Sequence, residues 1–267
     1  MKRNFVVMAF TALILGLCCM SCEKENNIEV DEIKITNPYD FLGNIHNDAL
    51  EFIYEQSIQN NPIDIAEYAK DITASRFSEL FAQFSKDDII TYLDKTDNQS
   101  AEISLNSPLF NSRIDFNNEF FAPIQLTTYQ RITLQELFDK IEYATSTKDI
   151  WNYLILKESE ILANKSIKED EKAIVLETFA ITKYSYIFHT THYSESKQKP
   201  SFQQIKKALK ADGIGFLAGC VASFFNGAAE ASLVFGPEGV VVAVVANGTR
   251  FAIRTSAAQL ISIIVQS

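Results

Sequence analysis

Cysteine is scarce in this 267-residue chain and badly placed for cross-linking. Only Cys18, Cys19, Cys22 and Cys220 occur, three of them in the first 22 residues. Basic residues are also in short supply, with 24 Lys and Arg against 34 Asp and Glu. Backbone contacts to nucleic acid need clustered Lys and Arg to displace counterions, so that balance argues against a nucleic-acid partner. It argues equally against an electrostatic grip on anionic lipid headgroups. Catalytic signatures are thin. There is no GxSxG elbow, no HExxH and no phosphate-cradling glycine loop. Gly213-x-Gly215-x-x-x-Gly219 is not a dinucleotide fingerprint, since no strand precedes it and no acidic partner follows at the required distance. Many carboxylates are present, but no pair is singled out for glycoside chemistry. These absences lean away from an enzyme, and they call for no cofactor.

What is present begins at the N-terminus. Lys2 and Arg3 precede an almost unbroken apolar run, Phe5 to Met20, and Ser21-Cys22 gives way to the polar EKENNIEVDE. Basic start, apolar stretch and small residue before a cut are the order of a secretory signal. Three cysteines compete as the first residue after the cut, and Cys22, preceded by the small Ser21, is preferred. The segment resembles the lipobox of bacterial lipoproteins, with Cys19 where an aliphatic residue is usual. The resemblance implies cleavage after residue 21 and acylation of Cys22. Membrane attachment would then run through acyl chains, each buried methylene contributing about 0.8 kcal/mol. Residues 1–21 are expected to be the signal peptide, and 22–36 a lipid-anchored flexible tether. Glu23 and Glu25 favour an outer-membrane address. With Cys22 acylated, Cys220 has no disulfide partner and reads as a small buried hydrophobe.

From residue 37 the pattern is helical. Asn37-Pro38-Tyr39-Asp40 reads as a helix entrance with Asp40 as cap, followed by Leu42, Ile45, Ala49, Phe52 and Ile53 at helical spacing. Thr133-x-x-Glu136 and Ser166-x-x-Glu169 are capping-box patterns opening further helices. Residues 95–130 read as a long connection with short elements. The clusters Phe77, Phe81, Phe84 and Phe116, Phe120, Phe121 read as core. Three histidines, His46, His189 and His192, are the only candidates for a metal site. The competing reading places His189 and His192 on the surface near a helix C-terminus, where positive charge is favourable.

The composition changes at residue 213. Seven of the nine glycines and only four charged residues, Glu230, Glu238, Arg250 and Arg254, fall in 213–267. Gly215, Gly219, Ser223, Gly227 and Ala231 form a small-x-x-x-small ladder along one helical face, suited to close helix packing. GPEG (236–239) reads as a turn and Val240–Val265 as a second apolar arm. A strand is the alternative for that arm, because Val240 to Val245 is β-branched and Asn247-Gly248 is a hairpin signal. Asn247, Arg250 and Arg254 at i, i+3 and i+7 favour helix. Insertion of this arm in a bilayer gains about 0.3–0.6 kcal/mol per Leu, Ile, Phe or Val, whereas its two arginines cost about 5–7 kcal/mol together.

The expected fold is therefore mostly α: a multi-helix bundle over 37–212, with a glycine-rich helical hairpin over 213–267. NPYDFLGNIHNDAL (37–50), together with the Gly/Ala-rich C-terminus, resembles uncharacterised lipoproteins of Gram-negative bacteria, a likeness that implies no established activity. The tail is also similar in composition to membrane-active bacteriocin peptides. The functional expectation is a lipid-anchored cell-envelope protein that acts through binding or interaction, with the membrane as partner through its acyl chains and any protein partner unidentified. Its alternative is a membrane-active, toxin-like protein working through residues 213–265.

Overall fold

A computed structural model of the chain describes residues 36–100, 114–192, 200–226 and 228–266, with the backbone alone for 97–100, 225–238 and 266. Residues 1–35, on which the expected signal peptide, the acylated Cys22 and most of the expected tether fall, lie outside the described residues. Among those described, the secondary structure is eight α-helices and one 3-10 helix, with no strand. They are α1 (Asp40–Ile58), α2 (Ile65–Leu80), α3 (Lys86–Ser100), a 3-10 turn (Glu119–Ile124), α4 (Thr128–Tyr143), α5 (Thr147–Ala163), α6 (Glu169–Thr191), α7 (Phe202–Asn226) and α8 (Ala228–Gln266).

Local chemistry sets many of the starts. Asp64 accepts hydrogen bonds from Ala66 N and Glu67 N at the head of α2, and Ser146 accepts from Asp149 N at the head of α5. Such caps contribute about 1 kcal/mol each. Helix α4 carries a capping box, but it is Thr127 with Gln130, one and a half turns before the expected Thr133. Thr133 is an interior residue that donates to Tyr129 O. Asn164 ends α5 as expected, whereas Ser166 bonds back to Asn164 and α6 opens after Lys168. Asp40 does not cap α1, because Lys183 takes its carboxylate.

The core runs the length of the bundle. Leu42, Ile45, Ala49, Leu50 and Ile53 form the buried stripe of α1, which packs on α6 and α8. Phe77, Phe81, Phe84, Phe116 and Phe121 are all buried, as their spacing suggests, and Phe120 is partly so. Of the connection expected over 95–130, residues 101–113 lie outside the described residues; the described parts are more regular than expected, since α3 continues to Ser100 and Phe121 plugs the 3-10 turn into the core.

The C-terminal pair makes the most extensive helix–helix contact in the fold. Its arms are antiparallel: Asp212 meets Ser256, Gly219 meets Asn247 and Gly248, and Cys220 meets Val244. Helix α8 packs in turn against α1, α2 and α3. Two boundaries differ from expectation. Helix α7 passes through Gly213 from Phe202, and the GPEG segment is part of α8. A proline inside a helix costs about 3 kcal/mol. Breaking the helix there would leave several backbone groups at each new end without intrahelical partners. The strand alternative for 240–265 does not hold, since that segment is helical throughout. Among the described residues, no helix is long and apolar enough to cross a membrane.

Candidate functional site: buried polar clusters around the first helix

The NPYD segment folds into a clamp. Asn37, 1 % exposed, accepts from Tyr39 N through its side-chain oxygen. Its amide nitrogen donates to Glu158 Oε1 at 2.6 Å and Leu176 O at 2.9 Å. Glu158 Oε2 holds Lys183 Nζ at 2.8 Å, and the same ammonium lies 2.7 Å from Asp40 Oδ1. One cation thus bridges the part-buried carboxylate of Asp40 on α1 and the buried one of Glu158 on α5. Burial raises both carboxyl pKa values above the ordinary range, and Lys183 pulls each part of the way back. A turn further on, Gly43 lies flat against the Tyr184 ring, and Asn47 Nδ2 donates to Tyr184 O at 3.0 Å. Asn37, Asp40, Gly43 and Asn47 thus all contact α5 or α6, whereas Phe41 packs on Phe77 and Phe81 at the end of α2.

His46 carries the motif into the deepest polar cluster. Its Nδ1 lies 3.2 Å from Asn47 Oδ1, so that nitrogen donates and Nε2 is left as the acceptor. Nε2 faces Asp212 Oδ2 at 3.5 Å, both residues being fully buried. Ser256 Oγ donates to that same oxygen at 3.0 Å, and Ser185 stands beside the carboxyl. Burial pushes Asp212 up to about 8 and His46 down to about 4. A carboxylic acid facing a neutral imidazole satisfies both shifts. His189 is also buried, 1 % exposed, and its pKa falls to about 3 by desolvation and by repulsion from His46 and His192.

The three histidines therefore form a row from core to surface. His192 ends it, stacked on Phe188 with ring centroids 4.7 Å apart and with Nε2 3.9 Å from Glu51. The surface reading of the pair is right for His192 alone. Among the described residues, no group of three or more His, Cys, Asp or Glu side chains is placed to hold a metal. Nor does the Ser–His–Asp composition make a nucleophile. Ser256 donates to the acid and not to the imidazole, and the cluster is sealed from solvent. Two surface grooves, of about 400 and 340 Å³, are lined in part by α4, one by Tyr153 and Leu156 and the other by Phe116 and Ile132, and neither includes a histidine.

A second cluster pins α8 to α3. Arg250, 0 % exposed, donates to Leu93 O at 3.0 Å and to Thr96 Oγ1 at 3.1 Å. Thr96 donates to Asn247 Oδ1, and Asn247 Nδ2 bonds Gly219 O at 2.8 Å and Ser223 Oγ at 3.0 Å. The stripe of Asn247 and Arg250 is thus a core seam, with Arg254 half-buried over Phe251. Gly215, Gly219 and Ser223 line α7 against α8. Gly227 and the Ala231 side chain lie outside the described residues, as does that of Glu230. Cys220 is a packed thiol whose pKa burial drives well up.

Sequence reasoning singles out His46 and the NPYD motif but misses the roles of Glu158, Lys183, Glu177 and Asp212; Glu158 and Asp212 have charged neighbours in sequence, but Lys183 and Glu177 are lone charges within apolar stretches of α6. That isolation is the available signal, since a charged residue on a buried face needs a partner. No protein-family model, curated protein or solved structure matches this chain.

Proposed function

We propose that this protein is a lipid-anchored cell-envelope protein, attached through acylated Cys22 at the outer membrane, whose helical body acts by binding a protein partner. The observation that carries this reading is the Asn37 clamp. Just where the polar stretch 22–36 ends, the chain is fastened to α5 and α6 by two buried hydrogen bonds next to a bridged charge pair. A body on a tether needs such a fixed junction. Fully extended, residues 22–36 would span about 50 Å. The glycine-rich hairpin serves in this reading as the central packing element of the body. The toxin-like alternative draws on composition alone, whereas the internal partners of Asn247 and Arg250 support a core role.

Metabolic labelling with a radioactive fatty acid in a Gram-negative host tests the anchor. The wild-type chain is expected to carry label and to sediment with membranes. Cys22→Ala is expected to lose both, and label persisting in that variant would refute the assignment.

A further inference from the structure

Helices α1, α6, α7 and α8 meet around ionisable groups that no solvent reaches. Asp212 belongs to α7, and its neighbours come from the three other helices: His46 Nε2 at 3.5 Å from α1, the Ser256 hydroxyl at 3.0 Å from α8, and Ser185 from α6. Glu177, 4 % exposed on α6, lies within electrostatic range of Cys220 on α7 and of Tyr39. His189 stands on α6 within range of His46. The nearby cations have described contacts elsewhere: Lys183 with Asp40 and Glu158, Lys206 and Lys210 with Glu142, Arg250 with Leu93 and Thr96, and Arg254 over Phe251. The described ionisable neighbour of Asp212 is therefore an imidazole. The pair is electrically neutral only while it holds one proton beyond the neutral ring.

We propose that the His46–Asp212 pair, with Glu177, is a proton-operated latch that seals α7 and α8 onto α1 and α6, and that it releases as pH rises past neutrality. Removing that proton leaves a carboxylate in the core with two hydroxyls and a neutral ring, and removing that of Glu177 leaves a second. Solvation of either anion requires the helices to part.

The direction follows from proton counting. Once opened and solvated, the pair keeps one proton, on His46, up to about pH 6.5 and loses it above. Sealed, it keeps that proton up to about 8. Glu177 is held up to about 8 by burial and behaves alike. Between about 6.5 and 8 the closed form thus binds about two more protons than the open one, and rising pH favours opening. Between about 4.5 and 6.5 the proton retained by Glu177 is offset by the one that His189, held at about 3, takes up only on opening. The response is confined to the alkaline side.

Cys220, 1 % exposed between α7 and α8, is a built-in reporter. Its modification by a disulfide reagent is followed by mass spectrometry of its own peptide in the full chain. Dividing the rate at each pH by that of the urea-unfolded chain removes the titration of the thiol itself. The wild-type ratio is expected to rise at least tenfold from pH 6.5 to 8, against an upper bound of about a thousandfold for two protons over 1.5 pH units. Asp212→Asn and Glu177→Gln are each expected to remove about half of the logarithmic rise. If Asp212→Asn does not fold, the wild-type profile and Glu177→Gln decide. A flat wild-type ratio, or a rise that Glu177→Gln leaves intact, overturns the latch.

Discussion

Lys183→Met is expected to cost the fold about 3–5 kcal/mol, the range for removing one partner of a buried ion pair. The ammonium bridges Asp40 and Glu158, whose side chains are 18 % and 5 % exposed, so its loss strands one buried carboxylate and one part-buried one. Asn37 still donates to Glu158 Oε1, and that single neutral donor does not replace a cation. Both carboxyls already lie above their ordinary pKa through burial, and without Lys183 they move further up. A raised folded-state pKa favours the fold below the unfolded value and penalises it as pH rises through the folded one. The deficit of Lys183→Met is therefore expected to be largest near pH 7 and to shrink toward pH 4. Arg76→Ala supplies the contrast. Its partners Asp48 and Glu79 are exposed, and the loss is expected to stay within about 1 kcal/mol. Urea titrations of the three proteins at pH 7 and pH 4 check the prediction, and a pH-independent loss for Lys183→Met would refute it.

Gly219→Val is the second large effect. A Cβ at this position would stand 2.5 Å from Asn247 O and 2.8 Å from the Gly248 Cα. Both neighbours are main chain inside α8, so no side-chain rotation relieves the clash and the helices must separate. Separation also stretches the Asn247 bonds to Gly219 O and Ser223 Oγ, which lead on through Thr96 to Arg250. Overpacking a core typically costs about 1–3 kcal/mol, occasionally more, and the unyielding neighbours place this variant at or above the top of that range. The gain from replacing glycine within a helix, under about 1 kcal/mol, does not offset it. Gly215→Ala is expected to be milder, because a Cβ there meets the Thr255 side chain first and its nearest main-chain atom, Phe251 O, stands at 3.1 Å against 2.5 Å for Asn247 O at Gly219. The ranking of the two melting temperatures tests the claim that α8's backbone, and not side-chain bulk, sets the requirement for glycine.

Periodicity carried most of the fold. The apolar stripe of α1 and the polar positions of α8 both mark helices, and the four-residue spacing of Gly215, Gly219 and Ser223 marks the face on which α7 meets α8. Helix starts were harder. Thr127-x-x-Gln130 and Thr133-x-x-Glu136 are equally good capping patterns, and the choice between them depends on Gln130 reaching Glu171 O across the bundle. The turn expected at GPEG rests on local propensity, which the continuous α8 overrides. The site was the least legible part. His46 and Asp212 are 166 positions apart in the chain, and nothing local to either shows that the other buries it. Sequence distance also hides the partners of Asn37, since Glu158 and Leu176 lie 121 and 139 positions away.

In the function proposed above, the glycine-faced pair α7–α8 is the core of the helical body. Dye release from phosphatidylethanolamine–phosphatidylglycerol liposomes at pH 6.5, with the full chain added at micromolar concentration, tests it most directly. The expected result is release no greater than that of buffer, because Asn247 and Arg250 are committed to internal partners. Dose-dependent release that Gly219→Val abolishes would contradict it and assign the pair to the membrane.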